Sequence, residues 1–284
     1  MGQDPLTFLV TGVSAGLGRA FAEAAVSAGH VVVGTVRTDA DGRSFEALAP
    51  GRALARHLDV TDDNAVVALV ADVEATVGPI DVAIVNAGYS HEGIVEESPL
   101  AQLRAQFDVN VLGATATIKA VLPYMRRRRA GHILGVTSMG GLMTVPGLAY
   151  YCASKYALEA ILETVGKEVQ AFGVHVTAVA PGAFRTDWTS RMVETERTIE
   201  DYDTLMTAVR DSRIAAAGRQ PGDPARAAQA LLSVIDSPNP PAHLVLGSDA
   251  LQLVTSGRAA VDADITAWAE LSRSTDFPVD PAAT

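Results

Sequence analysis

The chain has a single cysteine, Cys152, among its 284 residues. No intrachain disulfide can form, which fits a reducing compartment. Basic charge is also scarce. The formal net charge is -11, which argues against nucleic acid and against anionic membrane surfaces as partners. Only three of the 22 basic residues are lysines, at positions 119, 155 and 167. No apolar run approaches the roughly 20 residues of a membrane span. The opening MGQDPLTFLVTG has neither the basic stretch nor the apolar core of an export signal, so the expected compartment is the cytoplasm. No spacing such as H-E-x-x-H occurs, and no metal site is expected.

Hydrophobic residues make up 48% of the chain. Short Val- and Ile-rich runs at Phe8–Val10, Val31–Val36, Val82–Val85, Ile133–Val136, Val174–Val179 and Leu244–Leu246 show little polar alternation, as in strands buried on both faces. Ala-rich helical segments lie between them; two are closed by Gly29 and by Gly78-Pro79. Strand and helix in alternation predict an α/β fold: a doubly wound parallel sheet with helices on both faces, in one domain over residues 1–284. Its core is expected over 6–247. Residues 183–222 show no clear strand and are expected to form a lid inserted over a substrate site. The tail 250–284, ending in DFPVDPAAT, is expected to be loosely held.

The first strand-to-helix turn reads TGVSAGLG. Gly12, Gly16 and Gly18 would let backbone amides approach a pyrophosphate at the start of a helix, where partial positive charge favours an anion. The next strand ends in Val36-Arg37. An acid at that end would hold a free ribose 2'-hydroxyl, whereas a guanidinium matches a 2'-phosphate. Arg37 therefore favours NADP(H) over NAD(H), with the alternative that it simply points into water. Asp39 and Asp41 lie nearby and count against the phosphate.

The stretch YYCASKYALEA reads as helix. Tyr151 and Lys155 are four apart and share a face, whereas Tyr150 and Tyr156 diverge from the lysine. An ammonium lowers a nearby phenol pKa, and lysine, unlike arginine, can release a proton. Ser138 ends a strand 13 residues before Tyr151, and the intervening glycines and proline can turn its hydroxyl toward the helix start. Asn110 is an amide amid apolar helical residues; it can be satisfied by backbone or by fixing a water next to Lys155.

Taken in order, TGVSAGLG (11–18), LDV (58–60), NAG (86–88), Asn110, Ser138, YCASK (151–155) and PGAFRT (181–186) resemble the short-chain dehydrogenase/reductase family, in its compact single-domain branch. The resemblance covers roughly residues 6–190. It implies a Rossmann fold, a nicotinamide cofactor and interconversion of a carbonyl and an alcohol. It implies Tyr151 as acid/base, Lys155 as its partner and a ribose ligand, Ser138 as donor to the substrate oxygen and Asn110 as relay support. Cofactor contacts implied are Gly12, Ser14, Gly16, Leu17, Gly18, Arg37, Asp59, Val60, Asn86, Ala87, Gly88, Pro181, Gly182 and Thr186, besides Tyr151 and Lys155. A homo-oligomer, dimer or tetramer, is also implied. The chain departs from the family in Val85, where an asparagine is frequent, and in a longer C-terminal third. Two other classes stand beside this one: a non-catalytic dinucleotide sensor, and an epimerase or dehydratase on the same fold.

Two further expectations follow from the residues. Met139, Leu142, Met143 and Val145 after Ser138, with Phe184, Trp188, Met192, Tyr202, Leu205 and Met206 of the lid, suggest a mainly apolar substrate. Arg185 or Arg191 could instead supply a counter-charge to an acidic one. The tract Arg126–Arg129 is expected as a solvated cap on a helix ending near Met125.

Overall fold

A computed structural model describes residues 5–188 and 191–277 of the chain. Its central sheet holds β1 (Thr7–Val10), β2 (Val31–Val36), β3 (Ala53–His57), β4 (Val82–Val85), β6 (Gly131–Val136), β7 (Val174–Pro181) and β9 (His243–Leu246). The order is β3-β2-β1-β4-β6-β7-β9, and every neighbouring pair is parallel. Two-residue strands β5 (His91–Glu92) and β8 (Val193–Glu194) pair separately. β1 and β4 are buried along their whole length, which explains their unbroken apolar runs.

Alternate strand residues feed two cores. Phe8, Val10 and Leu134 pack with Phe21 of α1 (Gly16–Ser27), Phe45 of α2 (Asp39–Glu46) and Leu231 of α8 (Pro224–Ile235). Leu9, Val33 and Ile133 face the other way. They pack with Val70 of α3 (Asp63–Thr76), Ile118 of α5 (Ala114–Arg128) and Leu158 and Leu162 of α6 (Ala149–Val169). Between α4 (Leu100–Phe107) and α5, residues Asp108–Gly113 form a π-helical turn. α7 (Asp203–Ala216) lies in the 183–222 segment, and α9 (Ser248–Ala267) and α10 (Ala269–Arg273) follow β9. No helix among the described residues is long and apolar enough to cross a membrane.

Four features differ from expectation. β3 was not expected: its ALARH has no Val or Ile, and it is an edge strand paired only with β2, with polar side chains toward water. The 183–222 segment contains the short strand β8. The tail is helical from Ser248, but among its described residues only Ala250 and Val254 are buried; Pro278 to Thr284, most of DFPVDPAAT, lie outside the described residues. α5 continues past Met125 to Arg128, and its arginines are not merely a solvated cap. Arg127 lies 4.7 Å from the centroid of the Tyr124 ring. Arg128 reaches Glu74 at 2.7 Å and donates to the Ile80 carbonyl at 2.9 Å. Arg129 adopts φ 57°, ending the helix, and lies 5.2 Å from the Phe172 ring centroid.

Candidate active site

The carboxyl ends of the sheet strands converge on one rim, where open α/β sheets bind their ligands. β1 delivers the glycine turn, β2 Arg37, β3 Asp59 and Val60, β4 Asn86 to Gly88, β6 Ser138, and β7 Pro181 and Gly182.

At the turn, Gly12 has φ +76° and Gly16 φ +63°, values that only glycine adopts readily. A Cβ on Gly18 would stand 2.2 Å from the Gly12 carbonyl oxygen and 2.3 Å from the Asn86 amide. That amide donates to the carbonyls of Thr11 (3.0 Å) and Gly12 (3.1 Å). Thr11 Oγ1 in turn accepts from the backbone of Asn86 and Ala87 at 2.9 and 3.0 Å. β1 and β4 are thus locked together at the crevice. α1 has no side-chain cap, so its first amides are left for an anion. Ser14 is half-buried on the turn, while Leu17 turns inward against the core. Thr186 lies across from Gly16, whose Cβ would be 3.9 Å from it. The backbone before it is held by Asp249, which accepts from the Ala183 amide at 2.7 Å. This bare cradle at a helix start fits the pyrophosphate of a dinucleotide.

Val36 is buried and Arg37 exposed. Arg37 makes no hydrogen bond or ion pair among the described residues. Its charge, after two hydrogen bonds from Thr61, helps hold the Asp59 carboxyl below its usual range. The nearby acids are engaged elsewhere: Asp39 lies 2.9 Å from His57, and Asp41 accepts from the Thr38 hydroxyl at 2.7 Å.

The helical register resolves the three tyrosines. Tyr150 is structural: its hydroxyl donates to the Ser98 carbonyl at 2.8 Å, and its ring stacks on His91. Tyr156 is 43% exposed. Tyr151 is buried and shares a face with Lys155, whose Nζ is 5.9 Å from the ring centroid. The Ser138 hydroxyl lies close enough to the Tyr151 phenol to act on its pKa. A Cβ built on Gly140 would lie 3.4 Å from each of Ser138 Oγ, Tyr151 Cε1 and Cys152 Sγ. Burial pushes the Tyr151 phenol up to about 12, outweighing the lowering by Ser138. The lowering expected from Lys155 does not prevail over burial, and Lys155 Nζ itself donates to the Val136 carbonyl at 2.9 Å. Burial brings Lys155 down to about 8, opposed by the charge of Glu159.

Asn110, fully buried in the π-helical turn, is satisfied by protein groups. Its Oδ1 accepts from the Tyr89 amide at 3.1 Å. Its Nδ2 donates to the Tyr89 carbonyl at 2.9 Å and to Ser154 Oγ at 3.1 Å. It meets Lys155 at Gly88, where a Cβ would be 3.0 Å from Asn110 Oδ1 and 3.5 Å from Lys155 Nζ. Cys152 is buried and its thiol is pushed up by burial, as befits a packed rather than a reactive sulfur.

On the 183–222 side, Trp188 meets the Tyr151 ring edge-on at 5.8 Å. Several residues expected in the pocket pack on the protein instead. Phe184 joins the core near α8, Met206 is buried against Gly147, and the Tyr202 hydroxyl donates to Glu96 at 2.8 Å. Arg185 donates to the Gln220 carbonyl at 2.7 Å, and Arg191 pairs with Asp187 at 2.6 Å. No local pattern marks Glu92, which is fully buried against Arg210 and Arg213.

A parallel sheet with a bare glycine cradle beside Ser138 and the buried Tyr151 and Lys155 defines a dinucleotide-dependent oxidoreductase. The short chain dehydrogenase family model matches residues 7–197, and the chain belongs to that family. It is 34% identical over 93% of its length to an oxidoreductase, BOA17, of Botryotinia fuckeliana, covering 97% of that protein. It is 32% identical over 86% of its length to a 3-ketodihydrosphingosine reductase of Bacteroides thetaiotaomicron, covering 88% of it. The crystal structure of a short-chain dehydrogenase from Streptomyces avermitilis superposes with a TM-score of 0.90 at 38% identity, over 97% of this chain and all of that one. NAD(P)-dependent oxidoreduction of a small molecule is thus the general activity.

Proposed function

We propose that the protein reduces the carbonyl of a mainly apolar substrate, with Tyr151 as the general acid. The observation that carries this is the convergence of Ser138 and Tyr151 on one point beside Gly140. Ser138 holds the substrate oxygen while Tyr151 gives it a proton. A phenol raised to about 12 is protonated at neutral pH, which suits the acid role and hence reduction. A bound nicotinamide cofactor supplies the hydride. Lys155 offers a second proton-carrying group on the same face, and Asn110 supports it at Gly88. The glycine turn, Asp59, Val60, Asn86 to Gly88, Pro181, Gly182 and Thr186 would hold the cofactor, and the unpaired Arg37 would take a 2'-phosphate, favouring NADP(H). The 183–222 segment acts as the substrate lid. Trp188 is its apolar contact with the site, and Arg185 and Arg191 are engaged elsewhere. The relative named as a ketone reductase agrees with this direction.

The test is a panel of ketones and alcohols followed at the nicotinamide absorbance with both cofactors. Turnover of cyclic or long-chain ketones above polar keto-acids and sugars in kcat/KM is expected; the reverse order overturns the substrate class. The protein is further proposed to act in the cytoplasm as a homo-oligomer pairing through helices around 103–125 and 151–172. Ultracentrifugation showing only a species near 29.6 kDa at micromolar concentration would refute the oligomer.

A further inference from the structure

Glu159 is a buried carboxyl on α6, one turn past Lys155 and two past Tyr151, and the chemistry above does not use it. A buried carboxylate is costly unless its oxygens are satisfied. Both are: Oε1 lies 2.5 Å from Thr137 Oγ1 and Oε2 lies 3.1 Å from His243 Nδ1. Thr137 directly precedes Ser138; its amide donates to the Val179 carbonyl at 2.7 Å, and its hydroxyl lies between Glu159 Oε1 and that same carbonyl, 2.8 Å from the latter. The neighbouring Val136 carbonyl is the one that accepts from Lys155. Two adjacent cross-links therefore stitch α6 to the end of β6. The far end of the Ser138 turn rests on the same place: a Cβ on Gly141 would be 3.0 Å from Glu159 Cγ and 2.9 Å from the Lys155 carbonyl oxygen.

We infer that Glu159 is a positioning residue, seating both ends of the Thr137–Gly141 turn on the helix that carries Tyr151 and Lys155, and holding negative charge beside the Lys155 ammonium. The inference rests on the roles proposed for Ser138, Tyr151 and Lys155. The charged and titratable groups facing this pair are Tyr151 and Glu163 from α6 and His243 from β9, which also lies 3.7 Å from Glu163. The β6 end brings only the hydroxyls of Thr137 and Ser138.

The scarcity of lysine makes the test direct. Protein labelled with 13C at lysine Cε gives three signals, and the one absent from Lys155→Arg is Lys155. Titrated without nucleotide, Glu159→Gln keeps an acceptor for Thr137 but removes the charge. It is expected to lower the Lys155 midpoint by at least about half a pH unit, since an opposite charge favours the charged form; Lys119 should not move. The alkaline limb of kcat/KM for reduction should shift down with it. Thr137→Val keeps the charge and removes the tether. It should leave the Lys155 midpoint in place and lower kcat by about tenfold or more, the cost of a misplaced reacting group, with little change in KM. An unmoved Lys155 midpoint in Glu159→Gln, or wild-type kcat in Thr137→Val, overturns the inference. The titration needs no turnover, so an inactive protein would sink the proposed function while leaving the Lys155–Glu159 coupling measurable.

Discussion

The sheet and the 183–222 segment are held by different forces. Around β1 and β4 the attachments are apolar side chains packed on both faces, Phe8, Val10, Leu9 and Ile84 among them. Beyond the inward-packed Phe184 and Met206, the segment is strapped to residues 92–97 by polar atoms. Arg210 bridges Glu92 at 2.7 Å and Glu194 at 2.8 Å, and Arg213 also pairs with Glu92. Glu97 accepts from the amides of Thr198 and Ile199 at 2.6 and 2.7 Å. Apolar packing is non-directional and spread over many residues. A charged strap is concentrated in a few atoms and fails when one is removed. The apolar half thus carries the residues proposed to hold the cofactor, and the strapped half those proposed to cover the substrate.

Four experiments probe this contrast. Tyr151→Phe acts on the apolar half alone, since phenylalanine keeps the ring against Trp188. Turnover is expected to fall by about 10²- to 10⁴-fold, the size of a general acid contribution, with nucleotide affinity retained. Tyr150→Phe should do far less, and steady-state kinetics showing the opposite ranking would refute the assignment. Glu92→Gln attacks the strap. Breaking a buried pair from one side costs about 3–5 kcal/mol, so limited proteolysis within 195–216 should accelerate and KM rise. Nucleotide Kd should hold; loss of nucleotide binding would show that the two halves are not separable.

His132 tests the sheet by pH. It is 5% exposed, and burial, then His175, pushes it down to about 4. Between the unfolded value near 6.5 and that level, the unfolded chain binds a proton that the folded chain refuses. Its contribution is therefore full above about pH 6.5 and lost as pH falls toward 4, to the extent of about 3 kcal/mol. Denaturant unfolding of His132→Gln should show a flatter pH dependence across that window; an unchanged slope would contradict it. The smallest effect is expected at the rim. Arg37→Ala should reduce the preference for NADP(H) over NAD(H), as a ratio of kcat/KM, by about tenfold through loss of a charge-assisted phosphate contact. An unchanged ratio would remove Arg37 from cofactor choice.

What could be read from the sequence was whatever leaves a local trace. Val- and Ile-rich runs revealed the five inner strands and, through Leu244–Leu246, the half-buried edge strand β9, and helical spacing separated Tyr151 from Tyr150 and Tyr156. β3 escaped because an edge strand carries Arg56 and His57 toward water. Asn110 was singled out, but not the π-helical turn that faces it inward, since nothing in DVNVLG marks a wider helix. The pairings of Glu159 with Thr137, 22 residues away, and of Glu92 with Arg210, 118 residues away, leave no periodicity at all. They are choices of tertiary packing, and the lining of the substrate side depends on the same kind of contact.

The all-parallel order of the sheet also bears on how the chain folds. Antiparallel neighbours can be joined by a tight hairpin, but each parallel pair must await a crossover. The central strand waits longest: Thr7 meets Asp81, 74 residues further along. Loop closure of that span precedes any reward from the contacts it makes. Folding should therefore be slow for the chain's size, and the edges of β1 and β4 that face each other should stand unpaired meanwhile, open to association with other unfinished chains. Refolding yield should accordingly fall steeply as protein concentration rises.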